Sequence, residues 1–173
     1  MSALSDDKKI ILILRHAKSG LKNGDVPDHE RPLNKHGKKQ GPEMGILLKE
    51  LRLIPDYIIS STAKRAVDTS KAVAESCEYS GKISYGSLLY HQATAEQYIK
   101  VLSVVPDNYT KVLIVGHNPT LEYLIEKLTN RIVLMKTCSL ARMDVEIKSW
   151  KDIVYERNKI NFVNIWHPTV KGE

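Results

Sequence analysis

Ile10-Ile11-Leu12-Ile13-Leu14-Arg15-His16 is the stretch that decides the fold, because five consecutive apolar residues end abruptly in two polar ones. A short unbroken apolar run is typical of a strand that is covered on both faces, as in a parallel sheet. Similar runs follow along the chain. Together they predict strands over residues 10–14, 56–60, 82–85 and 111–115.

Helical patterns lie between these strands. Apolar residues recur at intervals of three and four over residues 44–51, 66–74 and 121–128, and Thr94 opens a capping box that ends at Gln97. Pro42 indicates that the first helix either begins there or is kinked there. Asn118 is the predicted N-cap of the last helix, with Pro119 as its first residue.

The alternation of strands and helices predicts an α/β fold, a three-layer sandwich with a mostly parallel central sheet and helices on both faces. The C-terminal part differs, because residues 140–147 and 161–166 read as two strands joined by a polar connection. We expect them to form an antiparallel hairpin at the sheet edge. A length of 173 residues suits one domain, so we expect residues 1–173 to form a single unit.

Composition excludes several classes of protein. No apolar run approaches the roughly 18 residues that span a bilayer, and the polar N-terminus lacks the apolar region of a signal peptide. The two cysteines, Cys77 and Cys138, lie far apart, which favours a reducing cytoplasm over a disulfide framework. The net charge of +6 comes without any nucleic-acid-binding motif, so it predicts a preference for anionic substrates rather than nucleic acid. No pattern points to a particular oligomeric state.

Polar residues follow three of the predicted strands at the points where the strands end. Arg15 and His16 follow the first strand, and Gly116 and His117 follow the fourth. Arg65 comes shortly after the second strand, at the start of a helix. Because open α/β sheets bind ligands at the carboxyl ends of their strands, we expect these side chains to meet in one site.

Two arginines and two histidines suit a phosphoryl group. Guanidinium groups bind phosphate oxygens through paired hydrogen bonds and stay charged at any working pH. Helix N-termini add N–H donors and a positive dipole end. A neutral histidine can attack phosphorus and hold the phosphoryl group covalently, while fixed cations stabilise the charge of the transition state.

The chain resembles a known family, the histidine phosphatase superfamily, and within it the short SixA-like branch of phosphohistidine phosphatases. The resemblance rests on four blocks that occur in the family's order: Leu14-Arg15-His16-Ala17-Lys18-Ser19, Arg31-Pro32-Leu33, Ser60-Ser61-Thr62-Ala63-Lys64-Arg65-Ala66 and Gly116-His117-Asn118-Pro119. It covers about residues 10–128 and implies a phosphoglycerate mutase-like fold.

The resemblance also implies roles for the matching residues. His16 would be the nucleophile that becomes phosphorylated, and His117 would hydrogen-bond the phosphate and stabilise the intermediate. Arg15 and Arg65 would bind the phosphate oxygens. Two more positions are implied to contact or border the phosphate: Ser19 and Arg31. No metal and no cofactor are implied.

Two departures from the superfamily pattern bear on the substrate. Ala17 replaces the glycine of the commoner Arg-His-Gly motif, which changes the conformational freedom of the loop. The glutamate general acid of the phosphoglycerate mutase branch has no counterpart in residues 88–94, where His91 is the alternative acid. An alcohol leaving from phosphorus needs a proton, whereas the P–N bond of phosphohistidine is weaker and its nitrogen is more easily protonated.

The sequence therefore predicts a phosphatase that works through a phosphohistidine intermediate, with phosphohistidine on a phosphorylated protein as its substrate. A phosphomonoesterase acting on a small phosphorylated substrate is the second hypothesis, and it requires an acid within residues 90–96 or 25–30. A non-catalytic phosphate- or phosphopeptide-binding module is the third, and the complete set of arginines and histidines disfavours it.

Overall fold

The computed structural model describes residues 8–21, 24–90 and 92–169. Within them a six-stranded sheet has the order β3-β2-β4-β1-β5-β6. The strands are β1 (Lys8–Arg15), β2 (Tyr57–Ser61), β3 (Ile83–Gly86), β4 (Lys111–Gly116), β5 (Leu140–Glu146) and β6 (Ile160–Trp166). The helices are α1 (Gly37–Glu50), α2 (Lys64–Ser76), α3 (Ala95–Ser103) and α4 (Thr120–Thr129). Short 3-10 helices lie at Asp28–Glu30, Ser87–Leu89, Trp150–Val154 and Arg157–Lys159.

The sheet is mostly parallel, as predicted. Strands β1, β2, β3 and β4 pair in parallel, and the register of β1 on β4 sets Arg15 opposite Gly116. Strands β5 and β6 join antiparallel, with β6 at the edge, which confirms the predicted C-terminal hairpin. The carboxyl ends of the four parallel strands consequently lie along the same edge of the sheet.

Helices cover both faces of the sheet, and alternate residues of β1 show why. Ile11 and Ile13 belong to a buried cluster that also contains apolar residues of α3 and α4. Leu12 and Leu14 belong to a second cluster, with residues of α1 and α2. Side chains of a strand alternate between faces, so β1 is buried on both sides and its unbroken apolar run is explained.

Two helix starts differ from the predictions. Helix α1 begins at Gly37, whose N–H is bonded by the Asn34 side chain, so a start at Pro42 is wrong and this proline lies inside the helix. Helix α4 begins at Thr120 with Pro119 as its N-cap. Asn118 does not cap it, because its side chain is engaged elsewhere, as described below. The capping box of α3 at Thr94 is confirmed. None of the described helices is long and apolar enough to cross a membrane.

Candidate active site

Both predicted histidines lie at the centre of the sheet. His16 and His117 follow the paired residues Arg15 and Gly116 of neighbouring strands, and their ring centroids are 5.1 Å apart. They line a cavity of about 340 Å³ at the carboxyl ends of the parallel strands. The other residues that line it are Arg15, Lys18, Ser19, Asp28, Arg31, Arg65, Asn118 and Thr137. The structure thus brings all six predicted site residues to one cavity.

His16 is buried, with 8% of its surface exposed, and its hydrogen bonds fix its tautomer. Nδ1 lies 2.7 Å from the carbonyl oxygen of Ala17. Since a carbonyl oxygen only accepts, Nδ1 carries the proton and Nε2 keeps its in-plane lone pair. Burial, reinforced by nearby arginines such as Arg65, lowers the pKa of His16 to about 4. The ring is therefore neutral at pH 7 with Nε2 available to react.

Arg65, in the first turn of α2, is buried against His16 and Asp28. Its Nε donates to Nε2 of His16 at 3.3 Å, which agrees with the tautomer inferred above. Its terminal nitrogens donate to the backbone oxygen of Asp28 at 2.7 Å and to Oδ2 of Asp28 at 3.1 Å. One guanidinium group thus orients the nucleophile candidate and faces the cavity.

The imidazole ring of His117 is hydrogen-bonded to a residue of β2. Its Nε2 lies 2.8 Å from Oγ of Ser61, the last residue of that strand. Burial and the neighbouring His16 lower the pKa of His117 to about 3, so this ring is also neutral at pH 7. A neutral imidazole with one N–H is a hydrogen-bond donor to phosphate without adding a charge.

Arg15 is anchored from the opposite side. It donates to the carbonyl oxygen of Met135 at 2.8 Å, and the Asn118 amide donates to the same oxygen at 3.0 Å. The Asn118 amide also donates to Glu122 of α4. Among the described residues, Nε of Arg15 has no hydrogen-bond partner although it is buried.

The loop after β1 is fixed by helices α1 and α2. The N–H of Ala17 donates to the Thr69 hydroxyl at 3.0 Å, and the N–H of Lys18 donates to the Gln40 side chain at 2.9 Å. Gly37 packs so closely that a Cβ there would lie 2.0 Å from the Lys18 carbonyl oxygen. Because these loop amides are already bonded, donors for an anion in the cavity come from the side chains around it.

Asp28 is the site residue that the motifs did not single out, although the segment 25–30 was named as a possible source of an acid. Its carboxylate accepts from Arg31, from Arg65 and, at 2.9 Å, from the Tyr90 hydroxyl. These hydrogen bonds and the charge of Arg65 hold the pKa of Asp28 well below its usual range. Asp28 is therefore ionised in this arrangement and has no proton to give.

Ser19 and Arg31 lie together at the edge of the cavity. Arg31 donates to the Ser19 hydroxyl and to the Gly20 carbonyl oxygen, each at 2.8 Å, and to Oδ1 of Asp28 at 2.9 Å. The Ser19 hydroxyl oxygen therefore accepts a hydrogen bond from Arg31. It binds an anion only by donating its own hydrogen into the cavity.

Other polar residues surround Asp28 on the same side. His29 lies 3.1 Å from the Thr62 hydroxyl and packs edge-on against the Tyr90 ring. No sequence pattern distinguished His29 or Tyr90. His91, the alternative acid, lies outside the described residues. Within the described part of the chain, no group of three or more His, Cys, Asp or Glu side chains could hold a metal ion.

The arrangement suits a tetrahedral oxyanion beside an attacking histidine. Arg15, Arg31, Arg65 and Lys18 set four cationic side chains against the single carboxylate of Asp28 in the cavity lining. Such a cluster stabilises phosphate oxygens and the charge that develops on them during transfer. Both neutral histidines then lie within one small anion-binding cavity.

Comparisons with known proteins place the chain among proteins of one superfamily and fold. A sequence model of the histidine phosphatase superfamily (branch 1) matches residues 11–85. An uncharacterized chloroplastic protein of Arabidopsis thaliana is 28% identical over 151 residues, which are 82% of this chain and 69% of that protein. An uncharacterized protein of Mycobacterium leprae is 30% identical over 122 residues, 67% of this chain and 71% of that protein. An uncharacterized protein of Mycobacterium tuberculosis is 34% identical over 107 residues, which are 62% of this chain and 64% of that protein.

Solved structures share the fold. The putative phosphohistidine phosphatase SixA from Nakamurella multipartitia superposes with a TM-score of 0.82 at 22% identity, covering 94% of this chain and 97% of that one. The putative SixA from Agrobacterium tumefaciens gives 0.78 at 25% identity, covering 92% and 98%. A putative alpha-ribazole-5′-P phosphatase from Escherichia coli gives 0.70 at 15% identity, covering 95% and 99%. These similarities confirm the predicted α/β, phosphoglycerate mutase-like fold.

Proposed function

Because this chain belongs to the histidine phosphatase superfamily, we propose that it is a phosphatase that acts through a phosphohistidine intermediate on His16. We further propose that it hydrolyses phosphohistidine on a protein. A cytoplasmic location belongs to the same proposal. The phosphatase class is supported by the family match and by the phosphatase neighbours, while the substrate is argued from the cavity itself.

One observation carries the proposed mechanism, which is the tautomer of His16. The Ala17 carbonyl oxygen holds the proton on Nδ1, and Arg65 donates to Nε2. Nε2 is thereby the atom with an in-plane lone pair, and it lies within a cluster of arginines. A nucleophile of this kind needs no base to remove a proton before it attacks.

The reaction proceeds in two displacements. Nε2 of His16 attacks phosphorus, the bond from phosphorus to the substrate nitrogen breaks, and its electron pair stays on that nitrogen, which takes a proton from solvent. Water then attacks the phosphoryl group, the P–Nε2 bond breaks, and phosphate leaves after the water gives up a proton. Arg15 and Arg65 stabilise the phosphoryl oxygens in both steps, and His117 donates a hydrogen bond to them.

The state of Asp28 favours a phosphoramidate substrate. An alkoxide leaving group is a strong base, and protonating it as it leaves accelerates the reaction by about 10²–10⁴-fold. Asp28 lines the cavity, yet its hydrogen bonds to Tyr90, Arg65 and Arg31 keep it ionised. No aspartate or glutamate occurs in residues 88–94. The imidazole nitrogen of phosphohistidine leaves more readily without such an acid.

A small-molecule phosphomonoesterase is the second candidate, and two observations favour it. A carboxylate does lie in the cavity, and a putative alpha-ribazole-5′-P phosphatase shares the fold. This candidate requires an acid, which is either Asp28, once substrate displaces its arginine partners and it gains a proton, or His91, which lies outside the described residues. A non-catalytic binding module is disfavoured, because mere binding does not call for a histidine with a free Nε2 at the anion.

Two measurements test the proposal. Rapid quenching during turnover of a ³²P-labelled phosphohistidine protein should trap an acid-labile, base-stable phosphoenzyme, and His16→Asn should abolish both the phosphoenzyme and turnover. Full turnover by His16→Asn contradicts the mechanism. The substrate class is tested by comparing kcat/KM for the phosphohistidine protein with that for a panel of sugar phosphates. A preference of 100-fold or more for a sugar phosphate selects the second candidate.

A further inference from the structure

An apolar rim lies beside the cavity. We define it as the side chains of Leu21, Leu88, Ile132 and Leu134, whose exposed fractions are 89%, 53%, 87% and 73%. Single exposed apolar residues are ordinary on a protein surface. Several from separate segments beside one polar cavity indicate a surface that another molecule covers.

Chain geometry limits how far these residues lie from groups that line the cavity or contact its lining. Consecutive Cα atoms are about 3.8 Å apart, so two residues along the chain separate Cα atoms by at most about 7.6 Å. Leu21 stands two residues after Ser19, which lines the cavity. Leu88 stands two residues before Tyr90, whose hydroxyl donates to Asp28 and whose ring lies 5.7 Å from the His117 ring.

The other two residues belong to a segment that borders the cavity from the opposite side. The carbonyl oxygen of Met135 accepts from Arg15 and from Asn118, and Thr137 lines the cavity. Leu134 precedes Met135 directly. Ile132 lies three residues before Met135, hence within about 11 Å of its Cα atom.

Residues 131–136 have no helix or strand structure and alternate in exposure. Met135 is buried and Val133 is partly buried, while Arg131, Ile132, Leu134 and Lys136 are exposed. Cationic residues therefore flank the two exposed apolar ones. Among the described residues, neither Arg131 nor Lys136 forms an ion pair.

We propose that the apolar rim and the flanking cations Arg131 and Lys136 form the docking surface for a folded, acidic protein that presents its phosphohistidine to His16. This inference rests on the proposed function and names the chemistry of its partner: apolar side chains around the phosphorylated residue, with carboxylates outside them. The cavity holds the phosphoryl group, and the rim contacts the protein surface around it.

The charges support this occupant. The cavity lining is cationic, and the segment beside it begins with Arg131 and ends with Lys136. An acidic protein surface is therefore attracted to this side of the molecule, which raises the rate of encounter. A sugar phosphate has little to gain from the rim, because its hydroxyl groups would lose water against leucine and isoleucine side chains. A protein gains by burying apolar side chains of its own there.

Substituting the rim tests the proposal with two substrates of the same chemistry. The probes are free phosphohistidine and an acidic phosphocarrier domain phosphorylated on a surface histidine. In the double variant Ile132→Ser/Leu134→Ser, we expect kcat/KM for the phosphorylated domain to fall at least tenfold and kcat/KM for free phosphohistidine to change less than twofold. Added salt should lower kcat/KM for the phosphorylated domain less in the double variant Arg131→Ser/Lys136→Ser than in the wild-type protein.

Val104→Ser is the matched control, because Val104 is an apolar residue that is 74% exposed. It lines a different surface pocket together with Tyr57. Tyr57 is the first residue of β2, at the opposite end of that strand from Ser61. It should leave both substrates unchanged. Equal effects of the rim variants on both substrates, or none on either, overturn the docking surface while leaving the phosphatase intact. Failure of the wild-type protein to prefer the phosphorylated domain over free phosphohistidine also overturns it. Failure to hydrolyse either phosphohistidine substrate overturns the proposed function.

Discussion

Arg65 donates from Nε to Nε2 of His16 at 3.3 Å. The proposed nucleophile and an arginine proposed to bind the phosphate are therefore hydrogen-bonded to each other before any substrate binds. This contact orients the imidazole ring and leaves N–H groups of the same guanidinium for the phosphoryl oxygens. Attack on phosphorus requires the Nε donor to release the lone pair. Arg65 thus links substrate binding to exposure of the nucleophile.

Replacing Arg65 with lysine should separate charge from geometry. Lysine keeps a positive charge but lacks the planar fork that reaches His16 and the Asp28 carboxylate together. We expect kcat/KM to fall by about 10²–10³-fold, the usual cost of one transition-state donor, with the fold retained. Lys64→Gln, at the neighbouring exposed cation, is the control and should change kcat/KM less than twofold. A near-normal Arg65→Lys enzyme argues against this role.

Asp28→Asn should change binding and turnover in opposite directions. The carboxylate competes with phosphate for Arg31 and Arg65, and it also holds both guanidinium groups in place. Removing its charge should tighten the Kd of inorganic phosphate about tenfold, because one like charge leaves the cavity, while kcat falls. Isothermal titration and steady-state kinetics measure the two effects. Asp68→Asn, which removes a carboxylate paired with Lys64, should alter neither.

The acid limb of the pH–rate profile should lie well below the ordinary histidine range. The neutral form of His16 is the proposed nucleophile, and its pKa is lowered to about 4 chiefly by burial. The neutral form therefore persists as the pH falls to about 4. Using an aryl phosphate and correcting for its own ionisation, we expect kcat/KM to halve near pH 4. A midpoint near 6.5 would show that the free histidine is not shielded in this way.

Stability should decline as the pH falls from about 6.5 toward 4. The folded-state pKa values of His16 and His117, about 4 and about 3, lie below the unfolded value of about 6.5. The unfolded chain therefore takes up protons first, and stability that is complete above pH 6.5 is lost on acidification. Urea unfolding at pH 7.0 and 4.5 should show that His117→Asn loses about 2–3 kcal/mol less than the wild-type protein does. An equal loss in both contradicts the assignment.

Gly37→Ala should distort the loop that follows His16. A Cβ at Gly37 would lie 2.0 Å from the Lys18 carbonyl oxygen, a backbone atom that cannot move without displacing the loop after His16. We expect a loss of about 1–3 kcal/mol in unfolding free energy together with lower kcat/KM. Gly20→Ala, in the same loop, adds a methyl group where nothing lies within 4 Å, and it should be close to neutral. Thermal unfolding and kinetics of the pair provide the comparison.

The sequence predicted the strands, the fold class and the gathering of His16, His117, Arg15 and Arg65, because each follows from an apolar run that ends in polar residues. It did not predict the start of α1, where Asn34 bonds the N–H of Gly37 and the helix continues through Pro42. Local helix rules also misplaced Asn118, because its amide donates to the Met135 carbonyl oxygen, 17 residues away, as well as to Glu122.

Asp28 shows a different kind of gap. A carboxylate between Pro27 and His29 has no periodic or motif signal, and its importance arises only when Arg31, Arg65 and Tyr90 converge on it. Those partners are 3, 37 and 62 residues away in sequence. Single-sequence patterns report local preference, so a residue whose role depends on distant partners is found only in the fold.

The pairing of β1 with β4 sets the distance between the two histidines of the proposed site. His16 and His117 each follow a residue of one registered pair, Arg15 and Gly116, and their rings are 5.1 Å apart, close to the spacing of about 4.8 Å between neighbouring strands. The two histidines are therefore spaced by the sheet backbone itself. Leu21 and residues 131–134, which lie outside these two strands, can change in composition without altering that spacing. A common chemical centre can accordingly acquire new partners by variation of its surrounding loops alone.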